Sequence, residues 1–167
     1  MYQVGDQVLY GVNGVCSIVA REHRNVDRRR VEYFVLEPVH QPEARFYVPT
    51  QNPAAVKKLQ HILTVPELEA LLSSEQAHQN MWIPDENQRK LRYKELINCC
   101  DRAALLSMIG TLYHHRQLQT QAGRKFHQCD ENFLRDAQKL LESEFSLVLN
   151  ISQDQIESYI KSRLNVI

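Results

Sequence analysis

Three groups of side chains have types and spacings that can do chemistry, and in each group the chemistry is recognition. Arg24, Arg28, Arg29 and Arg30 crowd one polar stretch beside Asp27. Guanidiniums placed there can fork onto carboxylates of a protein or onto phosphates, and a merely solvated loop tip has the same composition. RKLRYK, residues 89–94, sets four cations in six residues around Tyr93. Lys90 and Lys94 fall on one flank of a helix face, Arg89 and Arg92 on the other. Such a helix can lie across a nucleic-acid backbone, with Arg124 and Lys125 extending the patch, although a solvated helix face gives the same pattern. Trp82, the single tryptophan, lies between Met81 and Ile83 and just before Pro84. It reads either as a packed staple at a helix start or as an exposed wedge beside bases.

Nothing equivalent points to catalysis. The chain has no GxGxxG, GxxxxGK[ST], HExxH or GxSxG, the patterns that cradle phosphates, hold zinc or present a nucleophile. His114 and His115 fall on the polar side of a helix that buries Leu112, which suits a surface role. The four cysteines lack CxxC spacing, and the adjacent Cys99 and Cys100 cannot readily bridge. They read as free thiols, so no metal, cofactor or catalytic residue is expected.

The formal net charge is zero, but the charge is unevenly distributed. Residues 1–72 balance, residues 73–128 carry a net +3, and residues 129–167 a net −3. A basic middle can attract phosphates even in a neutral chain. No window nears 18 uninterrupted apolar residues and no leader pattern opens the chain, so a cytoplasmic protein with no membrane span is expected.

The elements that must position these groups come in two kinds. Val8, Tyr10 and Val12 alternate, as do Val15, Ser17 and Val19, with Gly11 and Gly14 marking a bend. A hairpin tip falls at 25–30, VEYFVLE and ARFYVP read as strands, and 56–62 can hold a last short one. Several short antiparallel strands in about 60 residues favour a closed sheet, because closure removes exposed edges. After Thr64 the period changes to helical. Pro66 suits a first turn, residues 73–80 read as a mobile linker, and Tyr93, Leu96, Ile97 and Cys100 stripe a helix over 85–100. Asp101 caps the next, with Leu105, Met108, Ile109 and Leu112. A further helix is expected near 117–127, another capped by Asp130, and a last one opened by a Ser152–Gln155 capping box. The fold class is α+β as two domains: an SH3- or Tudor-like antiparallel β-barrel over 1–64, then an all-α bundle over 65–167.

The N-terminal pattern Val4-Gly5-Asp6, Val8, Tyr10, Gly14-Val15 and Ile18, with EYFVLE and YVPTQN, resembles the CarD/CdnL family of bacterial transcription regulators. RYKELI at 92–97, the LY at 112–113 and AQKLLESEFS at 137–146 are similar to that family's helical half. The resemblance implies a Tudor-like domain that grips the β subunit of bacterial RNA polymerase by adding to the edge of its lobe. It also implies a helical domain at the upstream edge of the promoter bubble, where basic side chains hold the backbone of promoter DNA and a tryptophan wedges into the minor groove, stabilising the open complex. Arg24 then matches an arginine of the polymerase interface. Tyr47 stands where the family has a second one, with Arg45 two residues away on the same face. Arg89, Lys90, Arg92 and Lys94 cover the basic patch, and Trp82 lies ten residues before Arg92 with Asp85 and Glu86 between them. A monomer is expected. A helical half that binds another protein rather than DNA is the alternative, and an enzyme is a distant third.

Overall fold

The computed structural model describes residues 1–166, which divide into two compact units, Met1–Ile62 and the residues from Leu63 onward. In the first unit, β1 (Gln7–Tyr10), β2 (Val15–Val26), β3 (Arg29–Pro38) and β4 (Phe46–Pro49) form an antiparallel meander. After a four-residue helix, α1 (Pro53–Val56), the chain returns as β5 (Leu59–His61) beside β1. The sheet order is β4-β3-β2-β1-β5, so β4 and β5 are its two edges. No β4–β5 ladder is present among the described residues, and the five strands therefore form an antiparallel sheet rather than a ring of ladders closed at every seam.

The strand period of two explains the core. Val8, Cys16, Ile18, Phe34, Leu36, Val48 and Leu59 pack together, with Tyr2, Tyr10 and Phe46 at their margin. Two of the expected alternations shift. Val12 lies in a 3-10 turn, Gly11–Asn13, and is exposed, because the chain must bend there to pair Leu9 with Val15. Val19 is the extra residue where the β2–β3 register slips between Ile18 and Ala20, so it too is exposed, and Cys16 and Ile18 point inward instead. Burial raises the Cys16 thiol pKa to about 11 and keeps it a small hydrophobe. Gly5, at φ +99°, takes the left-handed turn that lets its N–H reach the Ile18 carbonyl at 2.8 Å.

The second unit is helical: α2 (Val65–Leu72), α3 (Glu86–Cys99), α4 (Arg102–Gln121), α5 (Gln128–Leu149) and α6 (Gln153–Arg163). Capping side chains start most of them. Thr64 and Glu67 make a capping box, Asp85 accepts from the Gln88 N–H at 2.8 Å, and Asp101 accepts from the Ala104 N–H at 2.8 Å. The Ser152–Gln155 capping box opens α6. Tyr93, Leu105, Leu106, Met108, Ile109, Leu112, Leu134 and Phe145 are all essentially inaccessible and form the core.

Three local expectations are corrected. Residues 73–80 are not a free linker: a 3-10 turn at Gln76–His78 buries Ala77, and Ser107 donates to the Gln79 carbonyl at 2.6 Å. No separate helix occupies 117–127. Instead α4 runs to Gln121, and Gly123, at φ +69°, ends it in the left-handed conformation glycine favours. Asp130 does not cap α5, which begins two residues earlier with His127 at the capping position. No helix among the described residues is long and apolar enough to cross a membrane.

Candidate functional site

On the sheet, Arg24 lies over Tyr47 while Arg45 pairs with Glu37, and the ladders explain how. Tyr47 pairs with Val35 on β3, while Arg24 pairs with Val31 and Glu22 with Tyr33. These residues share one face by the strand alternation. The Arg24 guanidinium lies 3.6 Å from the centre of the Tyr47 ring and 3.4 Å from the Glu22 carboxylate. Tyr33 meets Tyr47 edge to face at 6.4 Å, and Arg45 pairs with Glu37 at 3.4 Å. The arginines stay accessible, with side-chain exposures of 47% for Arg24 and 52% for Arg45. An arginine held flat over an aromatic ring is preorganised, so little rotamer entropy remains to be lost when a partner binds. Because β4 is an edge strand, its outer backbone is open to pairing beside this platform.

The residues expected to contact DNA separate into two sets. Arg89 is not on the surface, which corrects its assignment to the basic patch. It is the head of the inward stripe Arg89, Tyr93, Leu96 and Cys100, all buried. Its Nε and Nη2 donate to the two Asp130 carboxylate oxygens at 2.9 Å each, and its Nη1 donates to the Ile83 carbonyl at 2.8 Å. Burial pulls the guanidinium pKa down, but hydrogen bonding and charge from Asp130 outweigh it and hold the group above its ordinary value. The pair is therefore structural.

Trp82 is half-buried. It stacks on His115 with ring centres 3.5 Å apart and 17° between planes, and the Arg89 guanidinium lies 4.3 Å from its ring centre. Its backbone is fixed on both sides. The Met81 N–H donates to Thr111 Oγ1 at 2.9 Å, the Met81 carbonyl accepts from Tyr93 at 3.1 Å, and the Trp82 N–H donates to Asn80 at 2.9 Å. His115, expected only on a polar surface, therefore belongs to the site. Phe126 lies 6.3 Å from His115, ring centre to ring centre, and Arg124 and Lys125, just before it in sequence, are exposed. Lys90 pairs with Glu86 and Arg92 with Glu95 along α3, all four exposed, whereas Lys94, Arg124 and Lys125 have no ion pair among the described residues. The missed members, His115, Phe126 and Asp130, had a signal: Asp130, Leu134, Ala137 and Leu141 repeat at the spacing of the stripe Arg89 heads.

The strand order, the Gly5 turn and the arginine platform all belong to the first unit, and one finding bears directly on it. Residues 2–61 match the CarD-like/TRCF RID domain. The first unit is thus a CarD-like RNA polymerase-interacting domain, and the chain carries it as part of a transcription-associated protein. No curated protein matches the chain. The RID is a protein-interaction domain rather than an enzyme family.

Proposed function

We propose that this protein is a transcription regulator that binds the β subunit of bacterial RNA polymerase through the Arg24, Tyr47 and Arg45 face of its RID. In this reading the helical unit contacts promoter DNA at the upstream edge of the bubble, without reading sequence, and stabilises the open complex. The observation that carries it is the RID match joined to an exposed guanidinium preorganised on Tyr47. For the DNA contact, support comes from the aromatic group Trp82, His115 and Phe126, and from the exposed cations Arg124, Lys125 and Lys94, which have no ion pair among the described residues. Lys90 and Arg92 are held only by exposed pairs, which are weak enough for a phosphate to compete. Free energy gained only on melted or bent DNA would shift the promoter toward its open form.

The test is open-complex lifetime with purified polymerase. The wild-type protein should lengthen it, Arg24→Glu should remove the effect together with polymerase capture, and K94Q/R124Q/K125Q should remove the effect while capture survives. An unchanged lifetime with wild type defeats the proposal.

One observation favours a second reading, an adaptor whose helical unit binds a protein. Leu91 is 67% exposed at the centre of α3, between cations already matched by Glu86 and Glu95. A protein-only contact should show little salt-dependent retention on DNA.

A further inference from the structure

The β2–β3 hairpin outruns its neighbours. The β1 ladder reaches only to Ser17 and the β4 ladder only to Tyr33, while β2 and β3 stay paired to Val26 and Arg29. Arg24 with Val31, Asn25 with Arg30 and Val26 with Arg29 make a two-stranded ribbon about 10 Å long with no third strand in its ladder. Asp27 (φ 49°) and Arg28 (φ 64°) close it, both in the left-handed region that a tight two-residue hairpin turn demands. Arg28, Arg29 and Arg30 are exposed, and none has an ion pair among the described residues.

We propose that this arginine-tipped ribbon is a second nucleic-acid contact, on the RID itself, that inserts into a groove of duplex DNA and binds its phosphates without reading sequence. Three features favour a groove over an acidic protein surface. Arg29 and Arg30 leave opposite faces of the ribbon by strand alternation, and Arg28 leaves the turn, so the cations diverge. A groove offers phosphates on both walls, and the major groove, about 12 Å wide, admits a two-stranded ribbon. The ribbon also lacks an aromatic or large aliphatic anchor of the kind that carries specific protein interfaces, since Val26 and Val31 are its only apolar residues. Arg28 holds a left-handed conformation that glycine would take without strain, and a side chain kept at that cost points to use of its charge.

The test measures fluorescence anisotropy of a labelled, mixed-sequence duplex with the full-length chain and no polymerase, across a salt series. R28G/R29Q/R30Q keeps a turn-compatible residue at the tip and should weaken binding at least ~10-fold at low salt. It should also reduce the slope of log affinity against log salt by roughly 2 to 3, close to one counterion per lost phosphate contact. Wild-type affinity and slope in this variant overturn the inference, as does a wild-type chain that shows no salt-dependent binding. In a separate pull-down with polymerase, loss of capture by this variant with its DNA binding intact also overturns it, in favour of an acidic protein surface. K94Q/R124Q/K125Q in the same assay separates this contact from that of the helical unit. If only that variant loses binding, the ribbon proposal fails and the proposed function stands. If only the ribbon variant does, the reverse holds.

Discussion

Each unit sets an arginine over an aromatic ring, and the two arginines end in opposite environments. Arg24 lies on Tyr47 with nearly half its side chain in water and only the exposed Glu22 beside it. Arg89 lies by Trp82 with 4% of its side chain exposed and a carboxylate, Asp130, 1% exposed, gripping it at both ends. Stacking positions a guanidinium in both places, but desolvation decides what it can do next. The first can exchange a weak surface partner for a new one. The second cannot leave without stranding a charge in the core.

The largest expected effect follows from that contrast. Arg89→Ala leaves Asp130 buried and unpaired, so it should destabilise the helical unit by about 3–5 kcal/mol, read as a lower urea midpoint. Replacing both partners, R89M/D130L, should recover most of the loss. Arg24→Ala should shift stability by no more than about 0.5 kcal/mol, because its ion pair is exposed. If Arg89→Ala proves as mild as Arg24→Ala, the contrast between the two sites collapses.

Second in size is the effect on binding. Arg24→Glu should weaken capture of the polymerase β subunit by about 2 kcal/mol or more, the scale of an arginine hot spot, whereas Tyr47→Ala should lose less because Glu22 still holds the guanidinium. Pull-down or interferometry with the isolated β lobe would decide. Equal capture by wild type and Arg24→Glu moves the interface off this face.

The two units also differ in how far they could be read from sequence. The strands were legible because alternation is local: Phe34, Leu36 and Val48 announce a face by themselves. Helix stripes were legible for the same reason, and the Ser152–Gln155 box is in place. What failed is non-local. Arg89 and Asp130 lie 41 residues apart, so nothing near either one reveals its partner, and a charge in a basic run was assigned to the DNA-contacting patch. The clue was positional, since each charge heads a buried helical stripe. Residues 73–80 were misread similarly, because the hydroxyls of Ser107 and Thr111 that pin them come from α4. Val19 shows the strand counterpart, where one bulge resets the alternation.

A smaller effect tests the ribbon tip as a conformational element, separately from its charge. Arg28→Gly removes a left-handed non-glycine residue and creates the Asp-Gly pair that such turns prefer. The strain relieved, about 1–2 kcal/mol, exceeds the extra backbone entropy of glycine, about 0.5–1 kcal/mol. The first unit should gain a few tenths to about 1 kcal/mol, seen as a raised melting temperature. A loss would mean that Arg28 makes a stabilising contact in solution.

The smallest effect lies beneath Trp82. Burial is the main cause that holds the His115 pKa below its ordinary 6.5; the nearby Asp130 carboxylate opposes it, while Arg89, His127 and His114 add to it. A depressed histidine favours the neutral ring in the folded state, so its contribution to stability is complete above about pH 6.5 and is lost as pH falls through the folded value. Protonation would put a cation against the Trp82 ring, where the Arg89 guanidinium already lies 4.3 Å away. Because Trp82 is the only tryptophan, its fluorescence reports the surroundings of this ring. A titration should show a transition below pH 6.5 that His115→Gln abolishes. A midpoint above 6.5 would show that Asp130 governs His115 as it governs Arg89. The first unit holds no tryptophan, so the transition belongs to the helical unit's aromatic group.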